Sequence, residues 1–190
     1  MFILAVSKLV VIKRLHVITG IFISAVIASL SFIQNTTHPY PFIYNEKLGT
    51  PTLPYYNPLT IEGVELGRLL FYDTLLSGNN KQSCGSCHLQ QYSFTDGHAR
   101  AIGAYGDTVE RNTMSLVNMA WNNRFFWDGR AKSIEELIPQ PITNPKEMGQ
   151  DTTLLIKELK AHAYYPRLFE RAFAGQPISM ATVSKAIAQF

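Results

Sequence analysis

Cys84 and Cys87 are the two cysteines of the chain, and His88 follows them directly in "KQSCGSCHLQQYSFTDG". Two thiols three positions apart beside an imidazole suggest four kinds of chemistry. A redox dithiol usually rides on a βαβ scaffold, and no strand pattern is evident here. Zinc needs four ligands; Cys84, Cys87 and His88 would require a fourth from His98 or farther, and no second ligand pair exists. A buried structural pair leaves the adjacent histidine unexplained. C-x-x-C-H, by contrast, is the attachment signature of c-type haem. The thiols form thioethers with the haem vinyl groups, and the next residue lies beneath the iron as proximal ligand. The pattern points to one covalent haem c, tethered by Cys84 and Cys87 and ligated by His88.

The sixth position then separates electron transfer from chemistry, because a strong distal ligand blocks substrate and an open site admits it. Met114, Met119, Met148, Met180, His98 and His162 are the candidates. For each methionine the competing reading is core packing. His98 lies in a loop near the motif, and His162 reads as a surface or interface residue.

The motif needs a scaffold, and the chain offers helices. Thr60 caps a predicted helix through "IEGVELGRLLFYD", with Leu66, Leu69 and Leu70 on one face. A short helix is expected over "TMSLVNMAW". Ser133 and Glu136 form a capping box in "SIEEL", and Pro139 and Pro141 are expected to end that helix early. Asp151 caps "TTLLIKELKAHA", "YPRLFERAFAG" stops at Gly175, and Ser179 opens a final helix running to Phe190. The fold class is all-α with long loops, a c-type cytochrome haem domain.

Three segments are expected. Residues 1–33 read as a signal peptide or membrane anchor: Lys13 and Arg14 precede the apolar run "LHVITGIFISAVIASLSFI". That run approaches the roughly 20 residues that span a bilayer, so an uncleaved anchor is the alternative to cleavage near Ser29 and Ser31. Residues 34–58, rich in Pro, Tyr and Asn, read as an extended arm, and 59–190 as the haem domain. The net charge of +3 belongs to the leader, since Lys8, Lys13 and Arg14 are the only charges before Phe32 and the remainder balances. Nothing supports a nucleic-acid partner, and membrane contact would come only through the leader. Export to the periplasm follows from this reading.

The succession "LGRLLFYDTLLS", "SCGSCH", "FTDG", "RNTMSLVN", "FFWDGRA", "PITNPKEMG" and "YYPRLFERAF" resembles the N-terminal half of the bacterial di-haem cytochrome c peroxidases. The methylamine-utilisation di-haem enzymes are similar. The resemblance covers about residues 50–190. It implies two packed c-haem domains, with hydrogen peroxide reduced to water at the N-terminal haem. The second haem domain would receive electrons from a donor cytochrome or cupredoxin.

Carried over by position, Cys84, Cys87 and His88 match the N-terminal haem attachment site. Glu147 of "KEMG" matches the acidic residue above the peroxide-binding face, and Trp127 of "FWDGR" the aromatic between the haems. Asn112 of "RN" resembles a residue at an interdomain calcium site. A carboxylate suits the role, since splitting peroxide requires a proton to be moved from one oxygen to the other. The bland alternatives are a solvated loop carboxylate for Glu147 and ordinary core for Trp127.

Three departures stand out. Some members close the N-terminal haem with a histidine in the loop after "IG", where "AIGAYG" carries Ala104; a five-coordinate iron is expected. Leu137 replaces a glutamine often found near the haem. No second C-x-x-C-H is present, so the chain is expected to be a fragment of a longer protein. Three functions follow: an exported peroxidase, a non-catalytic electron-transfer cytochrome, or a methylamine-utilisation-like oxidase acting on a protein partner.

Overall fold

The structure, a computed structural model, describes residues 37–190; the expected leader lies outside them. Seven α-helices are described: α1 (Ile61–Tyr72), α2 (Cys84–Cys87), α3 (Ile134–Leu137), α4 (Pro139–Thr143), α5 (Thr152–Ala161), α6 (Tyr165–Ala172) and α7 (Met180–Gln189). Among the described residues there is no strand beyond isolated bridges. None of the described helices is long and apolar enough to cross a membrane.

Helix α1 begins where expected, with the Thr60 hydroxyl accepting from the Gly63 N–H at 3.0 Å. Its Leu66 and Leu70 are fully buried. Gly63 and Gly67 lie one turn apart and let α7 approach closely. A Cβ on Gly67 would lie 1.9 Å from the Ala186 carbonyl oxygen. Glycine inside a helix costs about 1 kcal/mol relative to alanine, and here the close backbone approach requires it. Leu76, Ile142, Leu155, Leu159, Tyr165, Phe169 and Val183 complete a core shared by α1, α4, α5, α6 and α7. Burial of each such leucine or isoleucine contributes about 1.5–3 kcal/mol.

Asp73 ends α1 and holds two elements. One carboxylate oxygen caps the Leu75 N–H at 2.9 Å, and the other accepts from the buried Tyr165 hydroxyl. Burial first, and then the bond to Asp73, push the Tyr165 phenol far above its usual range. Farther on, Asp151 caps α5 through the Leu154 N–H at 2.7 Å. Ser179 and Thr182 form a reciprocal cap on α7.

One expectation fails. Over "TMSLVNMAW" only one 3-10 turn forms, Met119–Trp121. Ser115 donates to the Ser93 carbonyl at 2.6 Å and accepts from the Val117 N–H at 3.2 Å. Asn118 is left-handed at φ +58°. Such local side-chain bonds compete with helix formation. The helix capped by Ser133 does end early, at Leu137, and Pro139 then begins the separate helix α4, an element not expected from the sequence. Proline is favoured in a first turn, where its missing N–H would have no helical partner.

Residues 37–58 contain one 3-10 turn, Glu46–Leu48. They are tied down at both ends. Tyr40 N–H donates to the Leu59 carbonyl at 3.1 Å and Ile61 N–H to the His38 carbonyl at 2.8 Å. The Asn57 side chain donates to Glu135 at 2.8 Å and accepts from Gln189 at 2.8 Å. Gln189 in turn accepts from the Thr60 N–H at 2.9 Å. Phe42 and Tyr44 pack on Trp121, whose indole N–H donates to the Gly49 carbonyl at 2.9 Å.

Candidate functional site

"CGSC" forms the single turn α2 because Ser83 and Ser86 cap its start reciprocally, the Ser83 N–H donating to Ser86 Oγ at 3.0 Å. Residues three apart in a helical turn share a face, so Cys84 and Cys87 are placed on one side. His88 closes the turn, its N–H donating to the Cys84 carbonyl at 2.9 Å. Gly85 allows close packing beneath: a Cβ there would lie 2.6 Å from the Tyr72 ring.

The His88 ring is oriented from the following loop. Its Nδ1 lies 2.8 Å from the Phe94 carbonyl oxygen. A carbonyl can only accept, so Nδ1 carries the proton and Nε2 is left as the free ligating nitrogen. Ser93 (φ +56°) and Phe94 (φ +60°) are both left-handed, within a loop closed by the Leu89–Thr95 bridge. Burial lowers the His88 pKa, against opposing pulls from the Phe94 bond and the Asp96 charge. The lowering favours the neutral ring, the form that ligates metal. Burial likewise pushes the Cys84 thiol up to about 12. Cys87 is raised by burial and by the negative charges of Asp96 and Glu147.

These three residues open onto a cleft of about 480 Å³, within the roughly 300–1,000 Å³ usual for cofactor sites. Met114, Leu116, Phe126, Leu137 and Met148 give it apolar walls. These apolar side chains, paired free thiols and an imidazole with its outer nitrogen free suit a flat, covalently tethered haem c.

Glu147 reaches the same cleft from the turn after α4. Asn144 organises this turn: its carbonyl accepts from the N–H groups of Glu147 and Gly149, both at 2.9 Å. Its side-chain oxygen accepts from the Lys146 N–H at 3.0 Å, and its Nδ2 donates to Glu147 Oε1 at 2.8 Å. Gly149 turns the chain away at φ +59°. The loop carrying Ala104 docks behind, its N–H donating to the Glu147 carbonyl at 2.6 Å. Gly103 makes this contact possible, since a Cβ there would lie 2.1 Å from the Lys146 carbonyl.

Trp127 stands in a turn closed by the Phe125–Ala131 bridge. It is 61% exposed at the cleft, so the alternative reading of it as ordinary core does not hold. Phe126, left-handed at φ +64°, is the residue that turns the chain here. The Trp127 indole N–H donates to the Asn112 carbonyl at 3.1 Å, joining two residues singled out separately in the sequence. Asp128 pairs with Arg111 and Arg130, each at 2.9 Å. Chiefly through Arg111, its carboxyl is held down at about 2. Arg130 also lies 3.5 Å over the Phe126 ring.

Among the candidate distal ligands, Met114 and Met148 line the cleft, and Met148 is also buried in the core. His98 is exposed in its loop. His162 is not a free surface residue: it packs on Tyr164 and Tyr165. Among the described residues no group of three or more His, Cys, Asp or Glu side chains is arranged to hold a metal ion. Sequence reasoning gave no role to Asn144, Asp96 or the Phe94 carbonyl. Their motifs were visible, but no spacing rule says which backbone oxygen will meet a ring.

The sequence profile of the di-haem cytochrome c peroxidases matches residues 61–190. The chain belongs to that family. It is 41% identical over 138 residues to the methylamine utilization protein MauG of Methylorubrum extorquens, covering 72% of this chain and 39% of the relative. To the cytochrome c551 peroxidase of Nitrosomonas europaea it is 34% identical over 133 residues, covering 70% and 40%. A crystal structure of a MauG-like protein associated with microbial copper homeostasis superposes with a TM-score of 0.74 at 35% identity, covering 80% of this chain and 45% of that one. The chain thus spans half or less of the length of these relatives. The all-α haem fold and the membership in a haem peroxidase family expected from the sequence both hold.

Proposed function

We propose that this chain is the peroxide-reducing haem domain of an exported di-haem peroxidase. The observation that carries the reading is that Glu147 and His88 line one cleft together with both thiols and the apolar side chains of Met114, Leu116, Phe126, Leu137 and Met148. Cys84 and Cys87 would tether haem c, with His88 Nε2 as its proximal ligand. When bound, the haem supplies the iron that binds peroxide and accepts electrons one at a time. Glu147 takes a proton from one peroxide oxygen and returns it to the departing one. Two electrons and two protons convert each hydrogen peroxide to two waters. The electrons come from a second haem domain supplied by a small donor cytochrome or cupredoxin.

Trp127, exposed at the cleft, lies on the path by which those electrons would enter. Asn112 would contribute to a calcium site shared with the second domain. The Arg111–Asp128–Arg130 cluster fixes the turn that presents Trp127. The apolar leader with Lys13 and Arg14 directs the protein to the periplasm, where haem c is attached.

The test is stopped-flow mixing of the haem-loaded chain with hydrogen peroxide. Glu147→Gln keeps the shape and removes the base. General acid–base catalysis contributes about 10²- to 10⁴-fold, so at least about a tenfold slowing is expected, with haem content and the ferric spectrum unchanged. A variant as fast as the parent would leave Glu147 an ordinary loop carboxylate. The likeness to MauG favours a second reading, in which the same site drives oxidation of a protein partner. Rapid turnover of peroxide with a reduced c-type cytochrome by the full-length protein would decide for the peroxidase.

A further inference from the structure

We infer that Asn144 is the positioning residue for Glu147, and that it assigns the two carboxylate oxygens different tasks. The inference rests on the proposed role of Glu147. Asn144 Nδ2 donates to Oε1 at 2.8 Å, while among the described residues nothing donates to Oε2. Oε1 is the anchored oxygen, and Oε2 is the one that takes and returns the proton. The carboxylate cannot rotate freely about its last bond without breaking the Asn144 contact. This matters because a misplacement of about 1 Å in a reacting group can cost roughly 10²-fold in rate.

Asn144 is suited to this by the way it is itself fixed. Its backbone carbonyl holds the N–H groups of Glu147 and Gly149, and its Oδ1 holds that of Lys146. The amide orientation is thereby determined: Oδ1 faces a donor, so Nδ2 must face Glu147. From the opposite side the Ala104 N–H grips the Glu147 carbonyl, so the backbone cannot follow if the side chain is released. Side chain and backbone are clamped by separate partners, and only the first clamp bears on the proton-carrying group.

Asn144→Asp separates these functions. It is nearly isosteric and keeps an oxygen for the Lys146 N–H, but replaces the donor to Glu147 with an acceptor. The haem-loaded parent, Asn144→Asp, Glu147→Gln and the double variant are mixed with peroxide in stopped flow. Asn144→Asp is expected to react at least about tenfold more slowly, a cautious floor below the general acid–base range of about 10²- to 10⁴-fold. In the Glu147→Gln background the same change is expected to alter the rate less than about twofold, since residues acting as a unit are not additive. Cyanide affinity and haem content are expected to match the parent. Asn144→Ala, which removes the donor without adding the negative charge of aspartate, should slow the reaction similarly and serves if Asn144→Asp does not load haem.

The inference is overturned if Glu147→Gln is slow while both Asn144 variants keep parental rates. It is equally overturned if the effects of Asn144→Asp and Glu147→Gln multiply in full, because Asn144 would then act elsewhere. If Glu147→Gln is itself as fast as the parent, the proposed role of Glu147 fails first and this inference goes with it.

Discussion

The backbone N–H of Ala104 donates to the carbonyl oxygen of Glu147 at 2.6 Å. The position at which the sequence resemblance would put a distal histidine is here engaged in holding the loop that carries Glu147. The Ala104 side chain offers no donor to iron, and its backbone is committed.

The ferric haem-loaded chain is therefore expected to be high-spin and to bind cyanide or azide readily. Absorption and electron paramagnetic resonance spectra check this. A low-spin spectrum that these anions leave unchanged would place Met114 or Met148, which line the cleft, on the iron. It would favour an electron carrier over a peroxidase.

Haem attachment should depend on both thiols. Protein matured in a host with a c-haem assembly system should keep its haem through denaturing electrophoresis. Cys84→Ala or Cys87→Ala should reduce stable attachment, and the double variant should abolish it. Retention of haem by the double variant would remove the thioether assignment.

Gly67→Ala is expected to destabilise the domain even though alanine is the better helix former. The added Cβ meets the Ala186 carbonyl at 1.9 Å, and overpacking typically costs about 1–3 kcal/mol. Helix propensity returns only about 1 kcal/mol. Thermal denaturation should show a lower midpoint. An unchanged or raised midpoint would mean that α1 and α7 separate more easily than their packing indicates.

Asp128 should remain ionised in the folded protein down to a pH of about 2. Its ordinary value is roughly 3.9. Its folded pKa is depressed, so its contribution to stability is complete above the ordinary value. That contribution disappears as pH falls through the folded one. Arg111→Gln removes the larger of its partners and should raise the carboxyl toward the ordinary range. Carbon-detected NMR titration of the aspartate carboxyls reads this directly, and an unmoved titration would leave Arg130 as the controlling partner.

The helices legible in the sequence were those with a capping residue directly before an apolar period. Thr60, Ser133, Asp151 and Ser179 all cap as their types suggested. The missed elements depend on competition that no period records. Ser115 draws its neighbourhood out of helix by bonding to Ser93, a partner twenty-two residues away. Pro139 opens a helix because Ile138 is already helical. In the site, Cys84, Cys87 and His88 are adjacent in sequence and so were visible at once. Glu147 needed the family resemblance to stand out, and Asn144 was invisible because its value lies in one side-chain bond that folding creates.

Gln189 has a consequence for the order in which this domain is assembled. Its amide serves both Asn57 and Thr60, across 132 and 129 residues respectively. Contacts of such sequence separation close slowly, since chain entropy must be lost before they form. The Cys84–His88 turn sits inside the loop that this contact closes. Until Gln189 docks, the amide of Asn57 and the N–H of Thr60 lack their buried partner, and the α1–α7 interface cannot close. The two thiols consequently belong to an unfinished domain for as long as that ring of chain stays open. Haem attachment to Cys84 and Cys87 is accordingly expected to be easier before Gln189 docks than after it.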